Sequence, residues 1–303
     1  MTRYLVTPEW AGERLDQALA ALSGLSRRRA RALATEGRVW LNQSSARILS
    51  RQVEVGDVVD VIAAAEDLAG PQKPPGSLRV LLADAWLLAV DKPYGMASQP
   101  PARRSPGELT VHELALLQLA AREGHRQELL LFHRLDRLTT GVLVLARTHD
   151  AARALAAAWE GNQVHKRYLA VVDGDPGPGE RLVDAPVGRD LVVPGRFRVT
   201  GRGKPAASRV RRLAIAGAFS LVEVRPLTGR THQVRVHLAH LGTPVAGDTL
   251  YGGSDTLPRP FLHAWRLALP HPRDGVAVEL KAPVPEDMAG TALGLGLGTF
   301  GID

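Results

Sequence analysis

The chain has no cysteine in its 303 residues. That excludes disulfides, thiolate-held zinc and a cysteine nucleophile in one step. It also lacks any run of about 18 apolar residues, so no membrane-spanning helix is expected. The opening Met-Thr-Arg-Tyr-Leu-Val-Thr-Pro-Glu has no long apolar core of a secretory signal. A cytoplasmic monomer with no membrane partner is the expectation. Acids are outnumbered, 31 against 38 Lys and Arg, giving a net charge of +7. Lysine is scarce too: Lys73, Lys92, Lys166, Lys204 and Lys281 are the whole set. A basic balance of this size favours a polyanionic partner such as nucleic acid. Arginine suits bidentate phosphate contact and stacking on bases, although GC-rich coding alone also enriches it. Hydrophobic residues at 45% and charged residues at 23% are ordinary for a globular protein. The length holds one large domain with an appendage, or two medium ones.

The first part reads as a small α+β unit. Leu15, Ala18, Leu19 and Leu22 follow the i, i+3, i+4, i+7 spacing of an amphipathic helix, which Gly24 ends. Ser26 can cap a second helix running to about Thr35. Gly37 closes it, a short strand follows over 38–42, and a turn at 53–57 leads to a strand over 58–61. Residues 27–51 carry seven arginines against one acid, Glu36. Four of them, Arg27, Arg28, Arg29 and Arg31, crowd the second helix and make a candidate phosphate-tracking surface. A solvated helix face would intersperse them with Glu.

Ala69-Gly70-Pro71-Gln72-Lys73-Pro74-Pro75-Gly76-Ser77 has turn residues and no apolar periodicity. The expected division is therefore a module over 1–68, a linker over 69–77, a main domain over 78–288 and a fraying Gly-rich tail over 289–303. In the main domain, strands are expected near 78–82, 86–90, 129–132, 142–146, 166–172, 210–215, 219–225 and 276–280. Helices are expected over 110–122 and 149–159. Residues 173–205, dense in Gly and Pro, read as a long connection ordered only on RNA.

Between the apolar runs Leu129–Phe132 and Val142–Ala146 lies His133-Arg134-Leu135-Asp136-Arg137-Leu138-Thr139-Thr140-Gly141. One carboxylate sits among arginines, and nearby positive charge favours its ionised form. That suits a nucleophile or a base. The ordinary alternative is an Asp that caps a turn and pairs with Arg.

The string closely resembles the signature His-Arg-Leu-Asp-x-x-Thr-Ser-Gly of RluA-type pseudouridine synthases, with Thr140 in place of Ser. The resemblance makes Asp136 the catalytic residue, with His133, Arg134 and Thr139 as candidates for substrate and RNA contact. Further matches follow in order. Asp91-Lys92-Pro93-Tyr94-Gly95 resembles the family's first motif, leaving Lys92 to reach a phosphate or an acid. The Val-His-Pro that often follows is replaced by Ala97-Ser98-Gln99-Pro100, so no role is carried there. Lys166-Arg167-Tyr168-Leu169-Ala170 resembles a segment whose tyrosine packs on the target base, a task for a flat amphipathic ring. Thr228-Gly229-Arg230-Thr231-His232-Gln233-Val234-Arg235-Val236-His237-Leu238 resembles the third motif. It implies that Arg235 pairs with Asp136 and that Arg230 and His232 support the site. Thr231 is a possible helix cap there. Phe261–Leu267 resembles a fourth element. The N-terminal unit resembles the alpha-L RNA-binding module, without its usual Val-Asn-Gly turn.

No metal or cofactor is expected. His237 and His240 are three apart without a Glu base between them, which is not a helical zinc pattern. The fold implied is α+β, a mixed, mainly antiparallel sheet with flanking helices beside a small N-terminal α+β module. The implied activity is isomerisation of uridine to pseudouridine in RNA, ribosomal RNA of the large subunit ahead of transfer RNA. A non-catalytic RNA chaperone would explain the basic module equally well but not Asp136. A nucleosidase or glycosidase needs two acids near the sugar, and Asp248 is only an outlying candidate.

Overall fold

The computed structural model describes residues 2–23, 25, 27–42, 44–46, 48–61, 77–100, 108–124 and 128–298, without the side chains of Thr2, Arg28 and Arg29. Contacts divide the chain into two compact units, Met1–Gln72 and Lys73–Asp303. Of the expected linker only Ser77 is described; Gly24 and Ser26 also lie outside the described residues. Among the described residues no helix is long and apolar enough to cross a membrane.

In the first unit, β1 (Thr2–Leu5), β2 (Val39–Leu41), β3 (Ser44–Ser45) and β4 (Val58–Val61) form an antiparallel sheet ordered β1-β4-β2-β3. Helices α1 (Leu15–Ser23) and α2 (Arg27–Thr35) share its core, in which Leu15, Leu19, Leu33, Val39, Val59 and Val61 are buried. The periodic face of α1 supplies Leu15 and Leu19 to that core. Where the alpha-L turn departs from its usual string, Asn42 takes a left-handed φ of 50°. Its side-chain oxygen accepts the Val58 N–H at 2.8 Å and its amide donates to Asp57 at 2.7 Å.

The second unit is built on a nine-stranded sheet. Its strands are β5 (Arg79–Ala83), β6 (Leu87–Lys92), β7 (Thr140–Ala146), β8 (His165–Asp173), β9 (Glu180–Asp184), β12 (Ala207–Ala216), β13 (Phe219–Pro226), β14 (Leu262–Pro270) and β15 (Ala277–Lys281). The order is β5-β6-β7-β14-β8-β13-β12-β9, with β15 also paired to β14. Only β7 and β14 run parallel, at Thr140 against His263 and Gly141 against Ala264. A Cβ on Gly141 would stand 2.2 Å from the Ala264 carbonyl oxygen, at φ 113°. The glycine that ends the Asp136 string is therefore what lets these two strands meet.

Every residue of β7 is buried, because the strand is covered on both faces. Leu143 and Leu145 face a cluster with Val111, Leu114 and Leu119 of α3 (Val111–Glu123). Val142, Val144 and Ala146 alternate onto a second cluster with Ala151, Leu155 and Ala158 of α4 (His149–Glu160). Thr110 and Glu113 close a capping box at the start of α3, and Thr148 caps α4. Helix α5 (Gln233–His240) buries Val234 and Leu238 against β8 and β13.

Three expectations are corrected. Residues 129–132 make only an isolated bridge, Leu130 to Ala146, before the chain leaves the sheet toward Asp136. Residues 173–205 are not one long connection but carry regular structure: β9 joins the sheet edge, and β10 (Val187–Arg189) pairs with β11 (Phe197–Val199) as a separate hairpin. The Gly-rich tail does not fray through residue 298. It forms α6 (Glu286–Gly294), which with Leu297 places Met288 and Ala292 against Phe261, Trp265 and Leu169. Glycine abundance obscured that apolar stripe.

Candidate active site

Asp136 stands on a loop that earlier segments brace from below. The Ser98 hydroxyl donates to the Leu135 carbonyl at 2.9 Å and accepts the Leu135 N–H at 3.2 Å. Gly95 and Arg137 exchange two more bonds: the Gly95 N–H donates to the Arg137 carbonyl, and Arg137 Nε returns to the Gly95 carbonyl at 2.8 Å. The Thr139 N–H closes the turn onto the Asp136 carbonyl at 3.1 Å. Lys92 belongs to this brace and not to an RNA contact, contrary to expectation. Its side chain is fully buried, and Nζ donates to the Pro93 and Arg137 carbonyls at 2.9 and 3.0 Å. Burial lowers its pKa to about 7, against the opposing pull of Asp136.

His133 lines the cavity and also braces the loop. Its Nε2 accepts the Val144 N–H of β7 at 2.9 Å, and its ring stacks on Trp159 at 4.5 Å between centroids. Burial lowers its pKa to about 3, so it is a neutral clasp between loop and sheet. Thr139 is 3% exposed and lines the cavity wall. The neighbouring Thr140 hydroxyl, standing where the family string has Ser, pairs with His263 Nδ1 at 2.8 Å.

Above Asp136 opens a cavity of about 330 Å³, lined also by Tyr168, Arg230, His232 and Arg235. That is within the size range of small-ligand sites, about 300–1,000 Å³. The Asp136 side chain is 19% exposed; Arg235 Nη1 lies 3.7 Å from Oδ2 and His232 Nε2 lies 3.8 Å from Oδ1. Tyr168 is half-buried on β8 beside them, and burial followed by the charge of Asp136 raises the phenol pKa, keeping it protonated. Arg134 is exposed at the mouth, its Nη2 3.5 Å from the Thr231 hydroxyl. Arg230 is exposed as well and donates from Nε to the Pro205 carbonyl at 2.9 Å.

Arg235 keeps its closest contacts for Asp248. Nε and Nη2 form a bidentate pair with that carboxylate at 2.6 and 2.8 Å, and the two side chains are 3% and 1% exposed. Burial works against the guanidinium charge, yet Asp248, and then Asp136, more than offset it and raise its pKa. The guanidinium also lies over the Tyr251 ring at 4.7 Å. Asp248, noted in the sequence only as an outlying acid, is thus part of the site. Glycine spacing was the available signal: a Cβ on Gly247 would meet the Arg259 carbonyl oxygen at 2.0 Å, and one on Gly253 the Val245 carbonyl oxygen at 2.1 Å.

The start of α5 also differs from expectation. Thr231 does not cap it; His232 occupies that position with a left-handed φ of 57° and makes no side-chain cap bond. Gln233 does the bracing. Its Oε1 accepts from the Thr228 hydroxyl and the Arg230 N–H, and its Nε2 donates to Ala207 and Ser208. His237 spends both ring nitrogens on Ser208 and the Ala185 carbonyl. In the first unit, Arg31 pairs with Asp16 at 2.6 Å and Arg27 approaches it at 3.9 Å, so part of the expected phosphate surface is neutralised internally. The side chains of Arg28 and Arg29 lie outside the described residues.

A part-exposed carboxylate facing a cavity of small-ligand size, flanked by Arg235 and His232 over a mixed sheet, has the form of an enzyme active site. The chain belongs to the RNA pseudouridylate synthase family, whose model matches residues 86–240, and an S4 domain model matches residues 13–59. Among curated relatives, ribosomal large subunit pseudouridine synthase D of Nitrosomonas europaea is 37% identical, covering 92% of this chain and 83% of its own. An uncharacterized RNA pseudouridine synthase of Chloroflexus aurantiacus is 38% identical over 94% of this chain and 90% of its own. Among solved structures, human RNA pseudouridylate synthase domain containing 4 superposes with a TM-score of 0.62 at 27% identity, covering 73% of this chain and 94% of that one. The activity is that of an isomerase acting on RNA.

Proposed function

We propose that this enzyme converts uridine to pseudouridine in large-subunit ribosomal RNA, working in the cytoplasm as a monomer, with Asp136 as its catalytic carboxylate. The observation that carries the assignment is the position of Asp136, a part-exposed acid facing the cavity between Arg235 and His232. The bond between uracil N1 and ribose C1′ breaks, the base turns within the cavity, and C5 bonds to C1′. C5 gives up its hydrogen and N1 gains a proton, so no redox partner or metal is needed. Asp136 acts on the ribose, by attack or by removal of a proton.

A stacked uridine is out of reach, so the nucleotide flips into the cavity and Tyr168 packs on its ring. Arg134, at the mouth, fills the vacated stack. Arg134→Ala then weakens RNA capture more than single-turnover chemistry, measured by filter binding and quench kinetics; unchanged affinity refutes that role. Beside the cavity runs a groove of about 440 Å³ bearing Arg189, Arg202, Lys204 and Arg230, which guides the RNA backbone. The S4 domain, whose second helix carries Arg27, Arg28 and Arg29, adds a second electrostatic contact. Ribosomal RNA is favoured because curated relatives of this chain carry that substrate in their names. The test is tritium release from RNA labelled at uridine C5, large-subunit ribosomal RNA against transfer RNA, with wild type and Asp136→Asn. Release from ribosomal RNA by wild type alone is the expected result. Release from transfer RNA only overturns the substrate, and tight binding without release overturns the activity.

A further inference from the structure

Neutral imidazole has one proton, on Nδ1 or Nε2, and the choice decides whether His232 offers Asp136 a donor or a lone pair. Burial lowers the His232 pKa despite Asp136 nearby, so the neutral form is the relevant one. Its Nδ1 lies 2.7 Å from the Tyr251 hydroxyl. That hydroxyl oxygen already accepts the Phe197 backbone N–H at 3.0 Å, and the Phe197 ring stands edge-on to His232 at 5.5 Å. Tyr251 is 7% exposed, and burial pushes its pKa up to about 12, so its proton is retained. A buried O–H needs an acceptor, and among the described residues Nδ1 is the one within hydrogen-bond distance.

We propose that Tyr251 is a positioning residue that fixes His232 as the Nε2–H tautomer, so that His232 presents a donor to the Asp136 carboxylate. The proposal rests on Asp136 being the catalytic acid. With Nε2 at 3.8 Å from Oδ1 and Arg235 Nη1 at 3.7 Å from Oδ2, each carboxylate oxygen then faces one N–H. Separations of this kind in a free enzyme tighten when substrate closes the site. Asp248 precedes and Tyr251 ends one 3-10 turn, Thr249–Tyr251, so a single short segment orients both neighbours of Asp136. The segment also ties the site to the β10–β11 hairpin through Phe197.

The left-handed backbone of His232 supplies a discriminating test. That conformation is tolerated best by Asn, Asp and His among residues with a side chain. Shape alone therefore favours His232→Asn over His232→Gln. A glutamine amide, however, reaches toward the Nε2 position with an N–H, whereas asparagine is a bond too short. The expected result is that His232→Gln turns over about tenfold faster than His232→Asn at equal RNA affinity, the scale of one hydrogen bond. Asn equal to or better than Gln overturns the donor role.

The second arm uses the full chain with 15N-labelled histidine and no RNA. Long-range proton–nitrogen spectra, with His232→Gln to assign the signal, should show His232 protonated on Nε2 and bare on Nδ1. Tyr251→Phe should give a tautomer mixture. A wild-type Nδ1–H or doubly protonated ring, or an unchanged tautomer in Tyr251→Phe, overturns the proposal. Because this arm reads no catalysis, its failure is distinct from failure of wild type to isomerise any RNA.

Discussion

Asp16 and Asp136 are each a carboxylate set among arginines, one in the N-terminal unit and one in the catalytic unit. Asp16 has no exposed side-chain surface and is held by Arg14 at 3.1 Å and Arg31 at 2.6 Å. Burial raises its pKa, but those two arginines together lower it further. Asp136 keeps 19% of its side chain open, and its nearest cation stands 3.7 Å away because that cation is clamped by Asp248. A carboxylate whose lone pairs are filled is structure; one held close to charge but left underbonded retains reactivity. The distinction lies in who else holds the arginine.

The sharpest way to break that comparison is to neutralise both acids in turn. Asp136→Asn should lower C5 tritium release by about a thousandfold or more while leaving the unfolding midpoint in place. Asp16→Asn should do the reverse. Its turnover per bound RNA stays near wild type, and it loses about 1–2 kcal/mol in denaturant unfolding, a figure held down because its arginine partners are half exposed and screened. Loss of chemistry in Asp16→Asn would erase the difference between the two sites.

Next in size is Asp248→Ala, which leaves a buried guanidinium without its bidentate partner. Breaking such a pair costs about 3–5 kcal/mol, and Asp248→Asn should cost less while still slowing the chemical step. With Asp248 gone, Arg235 is released toward Asp136, making the second acid resemble the first. Denaturant unfolding and single-turnover rates separate the two effects; a fully stable, fully active Asp248→Ala would remove Asp248 from the site.

Much of this was readable in the sequence because it was local. Alternating or continuous apolar runs gave β6, β7, β8, β12 and β13, and the spacing of Val111, Leu114 and Ala115 gave α3. Contiguous strings nominated Asp136, Tyr168, Arg230, His232 and Arg235, all of which line one cavity. Pairings across long separations were not readable. Asp248 meets Arg235 from a segment in which Gly247 and Gly253 admit close backbone passage, and Tyr251 meets His232 and Phe197 across separate segments. Burial was the other hidden variable. Lys92 and His133 carry polar atoms that sequence alone reads as available, yet backbone carbonyls or an N–H consume them.

Lys92 makes that hidden burial measurable through pH. Its folded pKa of about 7 lies below the ordinary lysine value of 10.5, so between those values the unfolded chain binds the proton that the folded chain does not. Stability from this group therefore rises with pH across that window and is lowest below about pH 7. Relative to Lys92→Met, wild type should gain about 2 kcal/mol of unfolding free energy between pH 7 and pH 9. A flat difference would mean that Lys92 keeps its charge in the folded state. RNA affinity measured at one salt concentration should be unaffected per folded molecule, in contrast to a true phosphate contact.

The smallest effect belongs to the groove, where the arginine comparison recurs in reverse. Arg31 is committed to Asp16, whereas Arg189, Arg202 and Lys204 are exposed and have no ion pair among the described residues. A cation without an internal partner can be removed without disturbing the fold, and its charge is available to displace counterions from RNA. Each phosphate contact to a single strand contributes about 0.7 to the slope of log affinity against log salt. Arg202→Ala should therefore flatten that slope by about 0.7, weaken binding a few-fold at low salt, and leave turnover at saturating RNA unchanged. Arg31→Ala should act mainly through stability, by stranding the buried Asp16. An unchanged salt slope in Arg202→Ala would take the groove off the RNA path and leave the cavity mouth and the S4 domain to supply the electrostatic capture.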